Sequence, residues 1–320
     1  MADQLKAAEW LFALAQTAAV VAAAPLFAAW VKRVKCWLQN RRPPPLHQTY
    51  LDLRRLFSKE VLLAHNASPV FRTAPYLIFG TVVIAASVIP AIALELPSAG
   101  IADAIVLVGL FGFGRFFLAL AAMDVGTSFG GMGASREMTV GALAEPAMLM
   151  VIFTLAMVAG STNLSTVMQT VLAQGFALRP SLLFALLALI LVGIAETGRI
   201  PVDNPATHLE LTMIHEAMIL EYTGRQLALM EWAAQIKLMI YGVLVSNLFF
   251  PWGIARTLEP ATLLLAGALL SVKLAVLGAA LATGESLVAK MRFFRVPVFL
   301  VVAFTLAMIA MLSFVMLESA

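Results

Sequence analysis

Five carboxylates and two histidines fall within the 27 residues from Glu196 to Tyr222, in a chain that is 62% hydrophobic and only 12% charged. Ionisable groups in or beside apolar segments are costly in a membrane and mark proton or ion paths, or contacts with partners. Asp203-Asn204-Pro205 has the pattern of a helix start, a capping side chain followed by proline at the first helical position. Taken as a helix at 100° per residue, Pro205–Tyr222 places Glu210 and Glu221 within about 20° of each other. His208 and His215 share a second face, and Glu216 lies off both. A face carrying carboxylates suits proton transfer. The two histidines lack the i, i+4 spacing of a helical metal site, so no metal is expected, and interhelical hydrogen bonding is the plainer reading for both.

Other ionisable residues sit in apolar runs. Glu145, just before Pro146, is placed where a carboxylate is not expected to face lipid, and proton carrying competes with a structural hydrogen bond. Arg136 and Glu137 precede it. Arg136 is expected to pair with a carboxylate or a partner, while Glu137 is read as favouring a helix N-terminus. Arg115 and Asp124 are nine residues apart, too far to pair within one helix, so each needs a partner elsewhere. Lys237 lies where a lysine can snorkel to the interface. Lys273, near the middle of an apolar run, is a candidate for a proton relay. Gly109, Gly112 and Gly114 are read as close helix packing. The glycine-rich run 126–135 is expected to be a flexible or tightly turned loop, since no phosphate-loop ending accompanies it.

These residues must be held by membrane helices. The chain has 320 residues, a net charge of +3 and a mean hydropathy of +0.94, which place it among all-α integral membrane proteins. Eight spans are expected, because about 20 helical residues cross the hydrocarbon. They are Ala8–Val31, Ala74–Leu94, Ile101–Met123, Thr139–Ala159, Leu178–Ala195, Glu231–Phe250, Ala261–Ala282 and Val296–Leu317. The first is read as a retained span and not a signal peptide, as Lys32, Arg33 and Lys35 follow it. Loops 32–73, 124–138, 196–230 and 283–295 hold fifteen Lys and Arg residues, against Lys6, Arg179 and Arg256 on the other side. The positive-inside rule then puts those loops in the cytoplasm and both termini outside. The reading is one polytopic membrane domain, 1–320, with a basic loop at 32–73 and an acidic one at 196–230. Within the first loop, Tyr50–Leu63 alternates apolar and charged residues as an amphipathic surface helix does, anchoring to lipid headgroups or docking a soluble partner. Cys36 is the only cysteine, so the chain can hold neither an internal disulfide nor an iron–sulfur cluster by itself.

Two ordered motifs carry a family resemblance. Glu196-Thr-Gly-Arg-Ile-Pro-Val-Asp203, with the acidic segment ending Glu221-Tyr222, resembles a signature of the complex I subunit 1 family. Ser135-Arg-Glu-Met through Ala144-Glu145-Pro146 resembles its second signature. Phe129–Met138 and Arg199–Met218 are similar to the hydrogenase branch, the membrane subunits of formate hydrogenlyase and hydrogenase-4-type energy-converting nickel–iron hydrogenases. The resemblance implies a multi-pass subunit of a prokaryotic inner (cytoplasmic) membrane. It would anchor peripheral hydrogenase large and small subunits, join iron–sulfur and antiporter-like membrane subunits, and couple electron transfer to ion translocation. Lipid is a further expected partner and nucleic acid is not. Iron–sulfur and nickel–iron centres are expected on the partners, with no cofactor, metal or catalytic residue in this chain. The proton-path candidates are Glu145, Asp203, Glu210, Glu216, Glu221 and Lys273. Arg115, Asp124, Arg136 and Arg199 are the candidates for charge pairing or arm docking. The quinone-reducing branch carries an acidic run after the signature proline. Here Ala206 and His208 stand in it and only Glu210 is acidic, which favours the hydrogenase branch over quinone binding.

Overall fold

The computed structural model describes residues 2–94, 97, 100, 102–174, 179–203, 213–257 and 259–318, with side chains from residue 9 onward. The described residues are helical and contain no strand. In chain order the helices are α1 (Ala2–Leu38), α2 (Gln48–Ser58), α3 (Pro69–Val88), α4 (Ala104–Asp124), α5 (Ser128–Ala159) and α6 (Leu164–Ala173). They continue with α7 (Pro180–Glu196), α8 (His215–Ile219), α9 (Gly224–Phe249), α10 (Pro260–Leu287) and α11 (Val296–Ser313).

Seven segments among the described residues are long and apolar enough to cross a membrane: Glu9–Leu38 of α1, then α3, α4, α5, α9, α10, and Phe293–Glu318 containing α11. α7 is the eighth apolar helix of the sequence reading. Its 17 residues reach about 25 Å at 1.5 Å per residue, the short end of what spans. It packs between α5 and α11, both spans themselves. The chain is therefore an all-α, multi-pass membrane protein.

Local chemistry sets most helix starts. Ser68, Asp103 and Asn163 each accept an N–H from the first turn that follows, and α3, α7 and α10 begin with proline. Those choices satisfy donors that a helix leaves open at its N-terminus. α3 packs on α4 and α9, α1 on α9 and α10, and α2 lies across α1 and α9.

Several boundaries correct the sequence reading. The glycine-rich run is not a loop: α5 is helical from Ser128, with the Thr127 side chain accepting the Gly130 N–H at 3.3 Å. Glycines there serve proximity. A Cβ on Gly130 would strike the Ala122 carbonyl, and one on Gly133 would lie 2.9 Å from Met218. α1 continues to Leu38, so Lys32, Arg33 and Lys35 ride on a helix. The amphipathic helix ends at Ser58, not Leu63, and α6 is an addition. The helix expected over Pro205–Tyr222 is not continuous. Residues 213 and 214 interrupt it and only His215–Ile219 is helical, while residues 204–212 lie outside the described set. The reason is on Asp203, whose Oδ2 accepts the N–H groups of Ile214 and His215, each at 3.1 Å. It caps a helix eleven residues on.

Candidate functional site

Arg115 is the centre of the site. Halfway along α4 and 5% exposed, it reaches carboxylates from two other helices. Its Nε donates to Glu137 of α5 at 3.2 Å and its Nη1 to Glu145 of α5 at 2.6 Å. Its Nη2 donates to Glu196, the last residue of α7. The other oxygen of Glu196 accepts from Lys237 of α9 at 2.8 Å. Four helices thus converge on one buried ionic network. A buried charge is tolerable only when paired and hydrogen-bonded, and the guanidinium fork can serve three acceptors at once. Glycine makes the geometry possible: a Cβ on Gly141 of α5 would collide with the Arg115 guanidinium, and one on Gly112 of α4 would sit 3.3 Å from Glu145 Oε1.

A second layer lies beside the first. Asp203, 2% exposed, pairs with Lys290 at 3.0 Å while capping α8. Glu285 of α10, also buried, pairs with Lys35 of α1 at 2.9 Å and with Arg199 at 3.4 Å. A cleft with about 840 Å3 of empty space, its mouth included, opens beside the first layer and reaches Asp203 of the second. Arg115, Glu137, Glu196, Asp203, His215 and Lys237 line it together with the apolar Ile78, Val82, Phe111 and Leu118. The arrangement can hold and pass protons among carboxylates, and it can seat an amphipathic guest.

The remaining sequence candidates scatter. Arg136 donates to the Met213 carbonyl at 2.8 Å and lies over the Phe293 ring at 5.5 Å. It steadies the segment before α8, and among the described residues its contacts are with a carbonyl and a ring, not a carboxylate. Asp124 accepts the Ser68 N–H at 2.8 Å. It lies near Tyr222, whose phenol is held well above its usual range by burial first and by the Asp124 charge second. Glu216 is half-buried on α8 and engaged by a neighbour; Glu221 is exposed beyond its end. Lys273 stands apart from the network: its ammonium donates to the Phe250 carbonyl at 2.6 Å and sits 4.7 Å over Trp252. That is a cation at the C-terminal end of α9, where open carbonyls are partially negative. Glu210 lies outside the described residues. Glu137, Glu196, Lys237 and Glu285 are site residues that the sequence reading did not select. Glu196 and Glu137 stood within the two signature motifs, while for Lys237 and Glu285 the only signal was charge within or beside an apolar run.

A family model described as NADH dehydrogenase matches residues 11–316. The chain belongs to the complex I subunit 1 family. It is 32% identical over 300 residues to hydrogenase-4 component C of Escherichia coli (strain K12), covering 94% of each chain. It is also 32% identical over 303 residues to formate hydrogenlyase subunit 4 of the same organism, covering 95% of this chain and 98% of that one. These relatives place it in the hydrogenase branch of the family. A chain in the structure of the membrane-bound sulfane sulfur reductase, an archaeal respiratory membrane complex, superposes with a TM-score of 0.76 over 95% of this chain and 99% of that one. At 18% identity that likeness shows the shared fold.

Proposed function

We propose that this chain is the membrane anchor and coupling subunit of a multisubunit, energy-converting nickel–iron hydrogenase complex of the formate hydrogenlyase type. Its place would be the prokaryotic inner membrane. The observation that carries the coupling role is the Arg115 network. Three carboxylates there, Glu137, Glu145 and Glu196, face two cations, Arg115 and Lys237. With every group ionised the cluster keeps one uncompensated negative charge, which suits it to respond to a change of charge nearby. Redox events in an arm docked on the 196–230 loop would act on Asp203 and Glu196 first, because both border that loop. Protons would then move between Glu196, Glu137 and Glu145, the last being the most exposed of the three carboxylates at 38% of its side chain. A carboxylate at that depth does not face lipid, so a neighbouring membrane subunit of the antiporter-like kind is its expected cover. Nickel–iron and iron–sulfur centres would reside in the partner subunits.

The cleft supports a second reading, a quinone-reactive subunit, since a mostly apolar lining with a few polar groups is what an amphipathic ring with a tail requires. One preparation separates the two. Tagged protein is isolated in mild detergent, nickel and iron are quantified, and dye-linked hydrogen evolution is assayed on the same eluate. Stoichiometric nickel and iron with hydrogen evolution are expected. Iron with neither nickel nor hydrogen evolution would overturn the hydrogenase reading in favour of the quinone one. Protein that comes off alone and metal-free under every mild detergent would overturn both.

A further inference from the structure

A proline inside a helix has no N–H, so the carbonyl four residues earlier loses its helical donor. In a membrane that carbonyl must find another partner. α1 contains Pro25 and α3 contains Pro75, which release the carbonyls of Val21 and Phe71. Each is taken by an aromatic donor from the stretch 222–232. The Trp232 indole N–H donates to the Val21 carbonyl at 3.0 Å, and the Tyr222 hydroxyl donates to the Phe71 carbonyl at 3.0 Å. The next carbonyl in each helix is also engaged from outside. Ala22 accepts from the Tyr50 hydroxyl of α2 at 2.5 Å, and Arg72 accepts from the Gln226 amide at 3.3 Å. The rings pack as well as donate. Tyr222 stacks on Phe71 with centroids 4.0 Å apart and planes 2° from parallel. Trp232 contacts Phe57 of α2 and Phe79 of α3 edge-on and tilted, at 6.3 and 5.2 Å.

We propose that Tyr222 and Trp232 are positioning residues, two clasps that fasten the segment 213–232 to the proline breaks of α3 and α1. A displacement of that segment then changes the bend of both spans. The segment is continuous with the site. Asp203 caps α8, α8 leads directly into Tyr222, and Thr81 of α3 lies against Gly114, the neighbour of Arg115. Movement at Asp203 is passed through Tyr222 to α3 and so to the wall beside Arg115. Tyr50 holds α2 to the same break in α1, which places the amphipathic helix within the unit. The mechanical consequence rests on the coupling role proposed above; the fastening itself does not.

The test is a pair of double-mutant cycles in the complete complex, embedded in membranes and read by amide hydrogen exchange. Tyr222→Phe keeps the stacked ring and removes the donor. In the Pro75→Ala background the restored backbone N–H supplies Phe71, and the hydroxyl becomes dispensable. Tyr222→Phe alone is expected to speed exchange in 215–232 and the first turns of α3 by about tenfold, the scale of one orphaned buried carbonyl. In the Pro75→Ala background it is expected to change exchange by less than about twofold. Trp232→Phe and Pro25→Ala form the matching cycle on α1. Equal effects of the aromatic substitution in both backgrounds would overturn the clasp. A second readout is the number of protons translocated per electron. It is expected to fall in Tyr222→Phe while dye-linked turnover of the arm holds. An unchanged ratio together with coupled exchange would overturn the mechanical part. A complex that translocates no protons at all removes the coupling role, and the exchange cycles still decide the fastening.

Discussion

Arg115 shows how one residue type decides what a buried site can do. Lysine offers a point charge, whereas guanidinium presents its donors in a fixed fork, and here three directions of that fork meet Glu137, Glu145 and Glu196. The carboxylates are not equivalent. Glu196 is 3% exposed at its side chain and bridges Arg115 to Lys237, while Glu145 is 38% exposed and touches Arg115 alone among these cations. Removing the first takes the carboxylate from Lys237 and one of three from Arg115. Removing the second leaves Arg115 with two partners. Arg115→Met is expected to destabilise the complex by about 3–5 kcal/mol, the usual result of leaving buried charge without its partner. Glu196→Gln is expected to lower the melting temperature clearly. Glu145→Gln should leave assembly and melting close to wild type and still lower the protons translocated per electron, and Glu210→Gln is expected to do likewise. Melting of the detergent-extracted complex, paired with vesicle acidification, makes the comparison. Full coupling in Glu145→Gln would remove Glu145 from the proton path.

At the scale of elements, the network exists because α4 and α5 approach closely enough for Arg115 to reach across, and glycine sets that approach. A side chain at Gly141 would occupy the space of the guanidinium. Gly141→Ala is therefore expected to displace Arg115 at a cost of about 1–3 kcal/mol, the range for overpacking a filled interior. Gly109→Ala on α4 meets open space and is expected to cost little. Thermal unfolding of the two variants side by side checks the pair, and equal destabilisation would show that crowding at Arg115 is not what Gly141 relieves. Such a contact was only half legible beforehand. Gly112 and Gly114 were readable as packing glycines because they sit in an apolar run. Gly130 and Gly133 looked like loop residues, since glycine favours turns and frayed helices alike, and only the tertiary contacts with Ala122, Ala217 and Met218 explain a helix there. The interrupted segment before α8 was hidden for a related reason. Asp203 reads as a local cap, and nothing in its spacing shows that it caps at long range.

Across the whole molecule, the spans were legible because hydrocarbon thickness imposes length and apolarity on every crossing helix. Pairing between spans was not, because Arg115, Glu196 and Lys237 are far apart in sequence and their charges say only that each needs some partner. The expected orientation rests on charge bias alone, fifteen basic residues against three in the two sets of loops, and the proposed arm-docking surface depends on it. The chain carries its own probe. Cys36 is its single cysteine, free and half-buried, two residues before the end of α1. If the basic loops are cytoplasmic, a membrane-impermeant maleimide is expected to modify Cys36 in sealed inverted vesicles and to leave it untouched in intact spheroplasts. Docked subunits cover such a position easily, so Gln39→Cys in a Cys36→Ser background supplies an exposed neighbour on the same side. Modification of either thiol from the outer face would invert the topology. The 196–230 loop would then face away from any cytoplasmic redox arm, and the coupling role would lose its input even with the Arg115 network intact.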